Sequence, residues 1–270
     1  MTKTLTALFA LPLLLAACGS SGGPVGADAN ATPASGVPEE AAATPGEAQP
    51  VTLTAADGVT VHGLYYPADE AKATILLFHQ AGSNKAEYAT IAPTLAKAGY
   101  NALAIDQRSG GDMFGASNAT VQGIGSSTED YVAALPDLEA ALAWGRTKGE
   151  PVIVWGSSYS AALVFLLAAK HPGEVAALLA FSPGEYLTDK QAVKRAAASL
   201  KIPLFVTSAP DREEVDAARS ILSAAKGDGN QQYVPEAGVH GSSTLIAAKN
   251  PDGAARNRTA AMAFLAGLTG

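Results

Sequence analysis

Ser158 lies at a point where an apolar strand passes almost directly into a helix. Residues 152–155 are apolar and mostly β-branched, as in a strand covered on both faces of a parallel sheet, and residues 161–170 are rich in strong helix formers. A serine on so sharp a turn has its hydroxyl pushed out of the sheet, and the first turn of the helix offers backbone N–H groups to a developing oxyanion. The stretch therefore predicts a nucleophile elbow with Ser158 as the nucleophile.

The motif around this serine, residues 156–160, reads G-S-S-Y-S and follows the pattern G-x-S-x-G except at its last position. The Cβ and hydroxyl of Ser160 are small enough for the strand and the helix still to approach each other. The same pattern occurs at residues 19–23, but only the later copy has a strand before it and a helix after it. A plain strand-to-helix turn without chemistry is the alternative interpretation.

The predicted elements alternate between strands and helices after an antiparallel start. Residues 51–54 and 59–66 alternate in polarity around Asp57-Gly58, which is a strong hairpin signal. Further strands are predicted at residues 74–79, 102–105, 152–155, 175–181, 203–208 and 231–235, and helices at residues 85–98, 129–148, 161–170, 187–200, 212–226 and 254–268. This order indicates an α/β fold, a doubly wound and mostly parallel sheet with an antiparallel N-terminal hairpin.

Polar residues follow four of the predicted strands at their carboxyl ends, where ligands bind in sheets of this kind. The four groups are His79 to Asn84, Asp106 with Arg108, Asp211, and His240. We interpret Asp106 and Arg108 as a structural ion pair at a strand end. Asp211 could act chemically, or it could cap the helix that follows it, since aspartate is favoured at both kinds of position.

The four histidines differ in how well they are placed for acid–base chemistry. His62 is expected on a half-exposed strand face, and His171 at a helix end near the negative end of the dipole. His79 is expected to orient its loop and not to react. His240, after the last strand and before Gly241, is therefore the predicted base.

With these pieces in order, residues 51–270 resemble the α/β-hydrolase family. In that family the nucleophile, the acid and the histidine follow one another along the chain. The resemblance implies a catalytic triad of Ser158, Asp211 and His240. Because some members place the acid after the preceding strand, Glu185 is the alternative acid.

Residues 79–82, His-Gln-Ala-Gly, are similar to the family's oxyanion loop, although glycine more often follows the histidine. The resemblance implies an oxyanion hole formed by the backbone N–H of Tyr159 and that of Ala81 or Gln80. Residues 106–110 resemble the family's D-x-R-G turn, with Ser109 in place of a glycine.

The resemblance implies acyl transfer without a metal or another cofactor. His240 would take the proton of Ser158, the serine oxygen would attack an ester-like carbonyl, and Asp211 would hold the imidazole in the required tautomer. The expected substrate is a small acyl compound. A serine peptidase of the same fold and a catalytically inactive envelope binding module are the alternatives.

Relatives often carry a helical lid, but here residues 181–186 lead almost directly into one helix. The site is therefore expected to be open, with at most a minimal cap. The glycine-rich loop at residues 110–127 is the predicted wall or flap.

The composition fits one globular domain. The chain has 270 residues, of which 48% are hydrophobic and 16% charged, enough for a sizeable core. Its net charge is −7 and no cluster of Lys or Arg stands out, so nothing supports nucleic-acid binding. Residues 51–270 are predicted to form the hydrolase domain, and residues 18–50, rich in Gly, Ser, Ala and Pro, to form a flexible tether.

The first seventeen residues combine Lys3 with an apolar run too short to span a bilayer, which is typical of a signal peptide. They lead into Leu15-Ala16-Ala17-Cys18-Gly19, which closely resembles the bacterial lipobox. That resemblance implies a lipid anchor on Cys18, the single cysteine of the chain. Gly19 is not the aspartate that retains many lipoproteins in the inner membrane, so attachment to the outer membrane is favoured.

Replacing Cys18 with serine is expected to release the domain into the soluble fraction, because the lipid would be its only attachment to the membrane. Fractionation of cells that produce the wild type and Cys18→Ser measures this, with the activity of the purified variant as the control. A variant that stays membrane-bound at the wild-type level would place the anchor elsewhere.

Overall fold

A computed structural model of the protein describes residues 46–268, so Cys18 and most of the predicted tether lie outside the described residues. The strands in the described part are β1 (Gln49–Thr54), β2 (Thr60–Tyr66), β3 (Thr74–Phe78), β4 (Asn101–Ile105), β5 (Val152–Ser157), β6 (Ala177–Phe181), β7 (Leu204–Thr207) and β8 (Gln231–Tyr233). The α-helices are α1 (Ala92–Lys97), α2 (Ala119–Ile124), α3 (Leu135–Arg146), α4 (Tyr159–Lys170), α5 (Ala192–Ser199), α6 (Arg212–Leu222) and α7 (Ala254–Leu268). None of these helices is long and apolar enough to cross a membrane.

The eight strands form one sheet in the order β1-β2-β4-β3-β5-β6-β7-β8. β1 and β2 pair antiparallel, as do β2 and β4, and all other pairs are parallel. The predicted fold class, a mostly parallel sheet with an antiparallel N-terminal hairpin, is confirmed. The central strands end together at one edge, and that edge carries the candidate site.

Two apolar cores cover the two faces of the sheet. Along β3, Leu76 and Phe78 enter one core, and Ile75 and Leu77 enter the other, as the alternation of a strand requires. The first core also contains α3, α4, α5 and α6, and the second contains α1 and α7. Nine of the twelve residues of α4 are buried, so the helix that follows the elbow is held on nearly every side.

Two predicted helices begin later than expected because prolines start them. Pro93 and Pro136 occupy the first turns of α1 and α3, where the missing N–H has no helical partner to lose. The residues before each helix form short 3₁₀ turns, Lys85–Tyr88 and Tyr131–Ala134. Helix α2, which lies within the glycine-rich loop and starts at an Asn118 cap, was not predicted.

Asp106 and Arg108 do not pair with each other, so the predicted ion pair between them is wrong. Asp106 accepts hydrogen bonds from the Lys85 ammonium at 2.6 Å and from the Ala119 N–H at 2.8 Å. Arg108 bridges the buried Asp137 of α3 and Asp57 in the β1–β2 turn. Both residues have structural roles, as expected. Asp106 connects the end of β4 to the turn at Lys85 and to α2, and Arg108 connects it to α3 and to the β1–β2 turn.

Candidate active site

Ser158 occupies a strained turn between β5 and α4. Its φ of 59° lies in the left-handed region that non-glycine residues rarely adopt. Its N–H donates to the Phe181 carbonyl at 2.8 Å, which holds the turn against the next strand. A Cβ at Gly156 would lie 2.3 Å from the Ser160 carbonyl oxygen, so only glycine permits this close approach. The strained turn leaves Ser158 partly exposed, while its neighbours Ser157 and Tyr159 are buried.

His240 links Ser158 to a carboxylate. Its Nε2 lies 2.8 Å from Ser158 Oγ, and its Nδ1 lies 2.7 Å from Glu214 Oε1. A carboxylate can only accept, so Nδ1 carries the proton and Nε2 is free to accept the serine hydroxyl. The three side chains form the nucleophile–base–acid arrangement that activates a serine.

The structure places Glu214, and not Asp211, against His240. Asp211 is exposed and caps α6, where its side chain accepts the Glu214 N–H at 3.1 Å. Glu214 lies three residues further along the helix, and its other oxygen accepts the Ala209 N–H at 3.0 Å. The prediction that Asp211 bonds to His240 is therefore wrong. Glu214 makes that bond, and Asp211 serves as the helix cap.

Glu185 also lies away from the histidine. Its two carboxylate oxygens accept the N–H groups of Val193 and Lys194 at 3.0 and 2.8 Å, at the start of α5. This capping explains why α5 begins at Ala192 and not at the predicted residue 187. The alternative acid of the sequence analysis is thus a helix cap as well.

The pKa values of the pair favour an ionised carboxylate beside a basic imidazole. Burial raises the pKa of Glu214, but hydrogen bonds from His240, Ser182 and the Ala209 N–H outweigh it and lower the pKa to about 2. The hydrogen bond to Glu214 raises the pKa of His240, and partial burial opposes that rise. Glu214 consequently stabilises the imidazolium that would form when His240 accepts a proton.

His79 orients the loop that follows β3. It is fully buried, its Nε2 accepts the Gln107 N–H at 2.9 Å, and its Nδ1 donates to the Gln80 carbonyl at 2.8 Å. Burial lowers the pKa of His79 to about 4, so the ring is neutral near pH 7 and keeps this one tautomer. The ring therefore fixes the direction of the Gln80 carbonyl and of the peptide N–H that follows it.

The two candidate donors of this loop differ in what they already bind. The Gln80 N–H donates to the Glu87 carboxylate at 2.9 Å and is not free for an oxyanion. The Ala81 N–H donates to no other protein group among residues 46–268. The Tyr159 N–H is the first of α4 and has no helical partner. Of the three predicted donors, Tyr159 and Ala81 remain available.

Ser160, which stands where the motif has glycine, contacts residues that follow β3 and β4. Ser160 Oγ donates to the His79 carbonyl at 2.6 Å, and Gln107 Nε2 donates to Ser160 Oγ at 2.7 Å and to the Tyr159 hydroxyl at 2.8 Å. The serine that replaces glycine in the motif thus connects the elbow helix to the oxyanion loop.

A cleft of about 680 Å³ opens beside the oxyanion loop. Its walls are formed by Ala81, Gly82, Ser109, Ser127, Thr128, Glu129, Asp130, Tyr131, Tyr186, Leu187 and Thr188. Ser158, Glu214 and His240 are not among the wall residues. The cleft adjoins the elbow through Ala81 and through Tyr131, whose ring stacks on that of Tyr159 with 4.5 Å between the centroids. Of the predicted wall at residues 110–127 only Ser127 contributes, and residues 127–131 and 186–188 form most of the lining.

The remaining histidines take no part in the site. His62 is half-buried on β2, as predicted, and His171 bonds to Glu139 at 2.8 Å after the end of α4. Within residues 46–268 no group of three or more His, Cys, Asp or Glu side chains could hold a metal ion.

Residues 69–234 match the family Hydrolase_4, described as serine aminopeptidase, S33. The chain belongs to this family of α/β-hydrolases. The match includes Ser158 and Glu214 and ends before His240. No curated protein sequence matches the chain significantly.

Several solved structures share the fold of this family member. The esterase Pf2001 of Pyrococcus furiosus superposes with a TM-score of 0.63 at 20% identity, over 83% of this chain and 94% of that one. A dienelactone hydrolase of Anabaena variabilis superposes with a TM-score of 0.59 at 17% identity, over 72% of this chain and 88% of that one. A cold-adapted esterase from an Arctic intertidal metagenomic library has a TM-score of 0.55 at 19% identity, over 69% of this chain and 82% of that one. At these identities the likeness concerns the fold.

Replacing Gly241 with alanine is expected to destabilise the protein and to displace the histidine loop. Gly241 has a φ of 68°, and a Cβ there would lie 2.5 Å from Ser157 Oγ. The matched control is Gly149→Ala, which has a φ of 92° but open space around the added Cβ. Urea unfolding should show that Gly241→Ala costs about 1–3 kcal/mol more than the control, because only it adds overpacking to backbone strain. If both variants lost the same free energy of unfolding, the histidine loop would be able to move away from Ser157 at no cost.

Proposed function

We propose that this protein is a serine hydrolase that cleaves a small ester-like acyl substrate through an acyl-enzyme on Ser158. The observation that carries the proposal is the pair of hydrogen bonds from Ser158 to His240 and from His240 to Glu214, at 2.8 and 2.7 Å. Both distances are within the range required of a nucleophile, its base and the group that orients the base.

In the acylation half, His240 Nε2 accepts the proton of Ser158 as Oγ attacks the substrate carbonyl carbon. The carbonyl oxygen becomes an oxyanion, which the N–H groups of Tyr159 and Ala81 bind. The intermediate collapses, the bond to the leaving alcohol breaks, and His240 gives its proton to that alcohol. The products of this half are the free alcohol and an acyl ester on Ser158.

In the deacylation half, His240 removes a proton from water, and the resulting hydroxide attacks the acyl carbonyl. The second intermediate collapses to a carboxylic acid and Ser158 Oγ, which recovers its proton from His240. Glu214 stays ionised throughout, since its pKa of about 2 lies far below neutral pH. Each oxyanion donor typically contributes about 2.7–4 kcal/mol, so the loop that carries Ala81 matters as much as the triad.

The cleft supports a small and partly polar substrate. Its volume of about 680 Å³ suits a ligand of a few hundred daltons, and its walls combine Tyr131, Tyr186 and Leu187 with hydroxyls and carboxylates. The solved neighbours include esterases and a dienelactone hydrolase, which favours a carboxylic ester. The complete hydrogen-bonded triad argues against an inactive binding module.

A peptidase acting on short substrates with a free amine is the second candidate. The family description names an aminopeptidase, and Glu129 and Asp130 line the cleft with negative charge. A panel of p-nitrophenyl acyl esters of increasing chain length beside aminoacyl p-nitroanilides separates the two. Higher kcat/KM on the anilides would reverse the preferred assignment.

We also propose that the domain is attached to the cell envelope through a lipid on Cys18, with the residues between Cys18 and β1 as its tether. The lipobox-like sequence and the apolar run before it support this proposal. An anchored hydrolase with an open cleft suits small acylated compounds at the membrane surface better than bulk lipid.

Ser158→Ala is expected to abolish covalent labelling by a fluorophosphonate probe with little change in melting temperature. Ser158 is partly exposed, and among residues 46–268 its hydroxyl bonds to His240 alone, so its loss removes the nucleophile and little packing. Peptide mapping of the labelled wild type identifies the modified residue. Labelling that persists at Ser157 or Ser160 would contradict the assignment.

Glu214→Gln is expected to lower turnover by about 10³–10⁴-fold, because the amide no longer imposes the required tautomer on His240; the Asp-to-Asn change in a serine protease costs about 10⁴. The matched control is Asp211→Asn, since asparagine caps helices nearly as well as aspartate. That variant should keep near-normal turnover and lose less than about 1 kcal/mol of stability. Near-normal turnover in Glu214→Gln with a large loss of turnover in Asp211→Asn would instead assign the acid to Asp211.

A further inference from the structure

Glu87 is a fully buried carboxylate that the proposed mechanism does not use. It lies in the 3₁₀ turn Lys85–Tyr88, and its side chain is 0% exposed. A buried carboxylate is costly unless it is paired or hydrogen-bonded, so its contacts should show what it does.

Three loops of the site meet at this carboxylate. Its Oε2 accepts the Gln80 N–H of the oxyanion loop at 2.9 Å, and its Oε1 accepts the hydroxyl of Ser157, next to the nucleophile, at 2.6 Å. Ser157 Oγ in turn accepts the N–H of Ser242, two residues after the catalytic histidine, at 2.8 Å. Glu87 thereby connects the oxyanion loop directly to the elbow, and through Ser157 to the histidine loop.

These contacts favour the ionised form of Glu87, because each of its two oxygens accepts a hydrogen bond. The Gln80 N–H can only donate, and the Ser157 oxygen already accepts the Ser242 N–H, so its own proton needs an acceptor. Burial raises the pKa of Glu87 above its ordinary value, and the hydrogen bonds from Ser157 and Gln80 offset part of that rise. A protonated Glu87 would keep only one oxygen as a full acceptor, so the bond from either the Gln80 N–H or the Ser157 hydroxyl would weaken.

The charge of Glu87 acts on His240. The charged groups that raise the pKa of His240 are Glu214, which bonds to it, and then Glu87 and Asp211. Asp211 is exposed at the start of α6, so water screens it, whereas Glu87 lies in the low-dielectric interior. The titratable neighbours of Glu87, Tyr88 and Tyr159, have pKa values that burial raises and are neutral near pH 7.

We propose that Glu87 is a positioning residue whose ionised carboxylate holds the oxyanion loop, the elbow and the histidine loop in one arrangement and adds negative charge behind His240. The proposal rests on the serine hydrolase function given above. It assigns two effects to one residue: alignment of the Ala81 and Tyr159 donors, and stabilisation of the imidazolium.

The test is the pH dependence of fluorophosphonate labelling of the full chain, which reports the activated serine without requiring knowledge of the substrate. Glu87→Gln removes the charge and one hydrogen bond, since Gln80 and Ser157 donate to different oxygens and the NH2 group of glutamine cannot accept. Glu87→Asp keeps the charge on a side chain one methylene shorter. Asp106→Asn is the matched control, because it removes a carboxylate that is also 0% exposed and borders the same 3₁₀ turn, but that is paired with Lys85.

In Glu87→Gln the labelling rate on its plateau should fall about 10²-fold through misplaced donors. The acid limb of the plot of labelling rate against pH should also move to lower pH. His240 must be neutral to act, and removing the Glu87 charge makes the protonated form of His240 less favourable. Glu87→Asp should lose rate with the acid limb near its wild-type position. Asp106→Asn should lose stability with the limb unmoved.

Two results would overturn the proposal: an unmoved acid limb in Glu87→Gln, or a wild-type rate in Glu87→Asp. The second remains decisive if Glu87→Gln does not fold. Failure of the underlying function looks different, because the wild type itself would then not be labelled at Ser158.

Discussion

Close packing of α4 against the end of β5 is the constraint on which the rest of the site depends. At the contact between Gly156 and the Ser160 carbonyl there is no room for a side chain, and Ser158 makes the turn with a positive φ. A residue held in that region costs about 1–3 kcal/mol. Burial of one large apolar side chain contributes about 1.5–3 kcal/mol, and α4 buries Leu163, Val164 and Phe165 completely. The free energy gained by burying these three side chains is therefore larger than the free-energy cost of the strained turn.

The parts of this arrangement that follow from local pattern were predictable from sequence. Continuous apolar runs identified the parallel strands, and the strand–turn–helix context placed Ser158. His240 could be chosen because the other three histidines lay in positions with evident structural roles. The structure brings these two residues within 2.8 Å of each other. It also shows His79 orienting its loop, as its position after β3 suggested.

Glu214, which bonds to His240, and Glu87 could not be chosen in that way. Glu214 lies within a predicted helix, where a glutamate ordinarily faces solvent, and Asp211 lies nearer to the strand end. One signal was present: residues 211–214 read D-R-E-E, and an acid three residues after a cap is typical of a capping box, in which the later side chain turns back. Glu87 offered no such signal. Its burial arises from the meeting of three loops that are distant in the sequence. The prediction of one helix over residues 85–98 ignored Pro93, which marks the helix start after this turn.

Two adjacent requirements at the start of α6 explain why a glutamate and not an aspartate bonds to His240. Asp211 caps the helix and so orients its first turn, and the next inward-facing position lies one turn further from the strand end. The longer side chain of Glu214 spans that extra distance back to the histidine and to the Ala209 N–H. The unpaired N–H groups and the positive end of the helix dipole favour a carboxylate there. The cap and the acid thus share one helix terminus, and the residue nearer to the strand end has the structural role because capping depends on the short reach of aspartate.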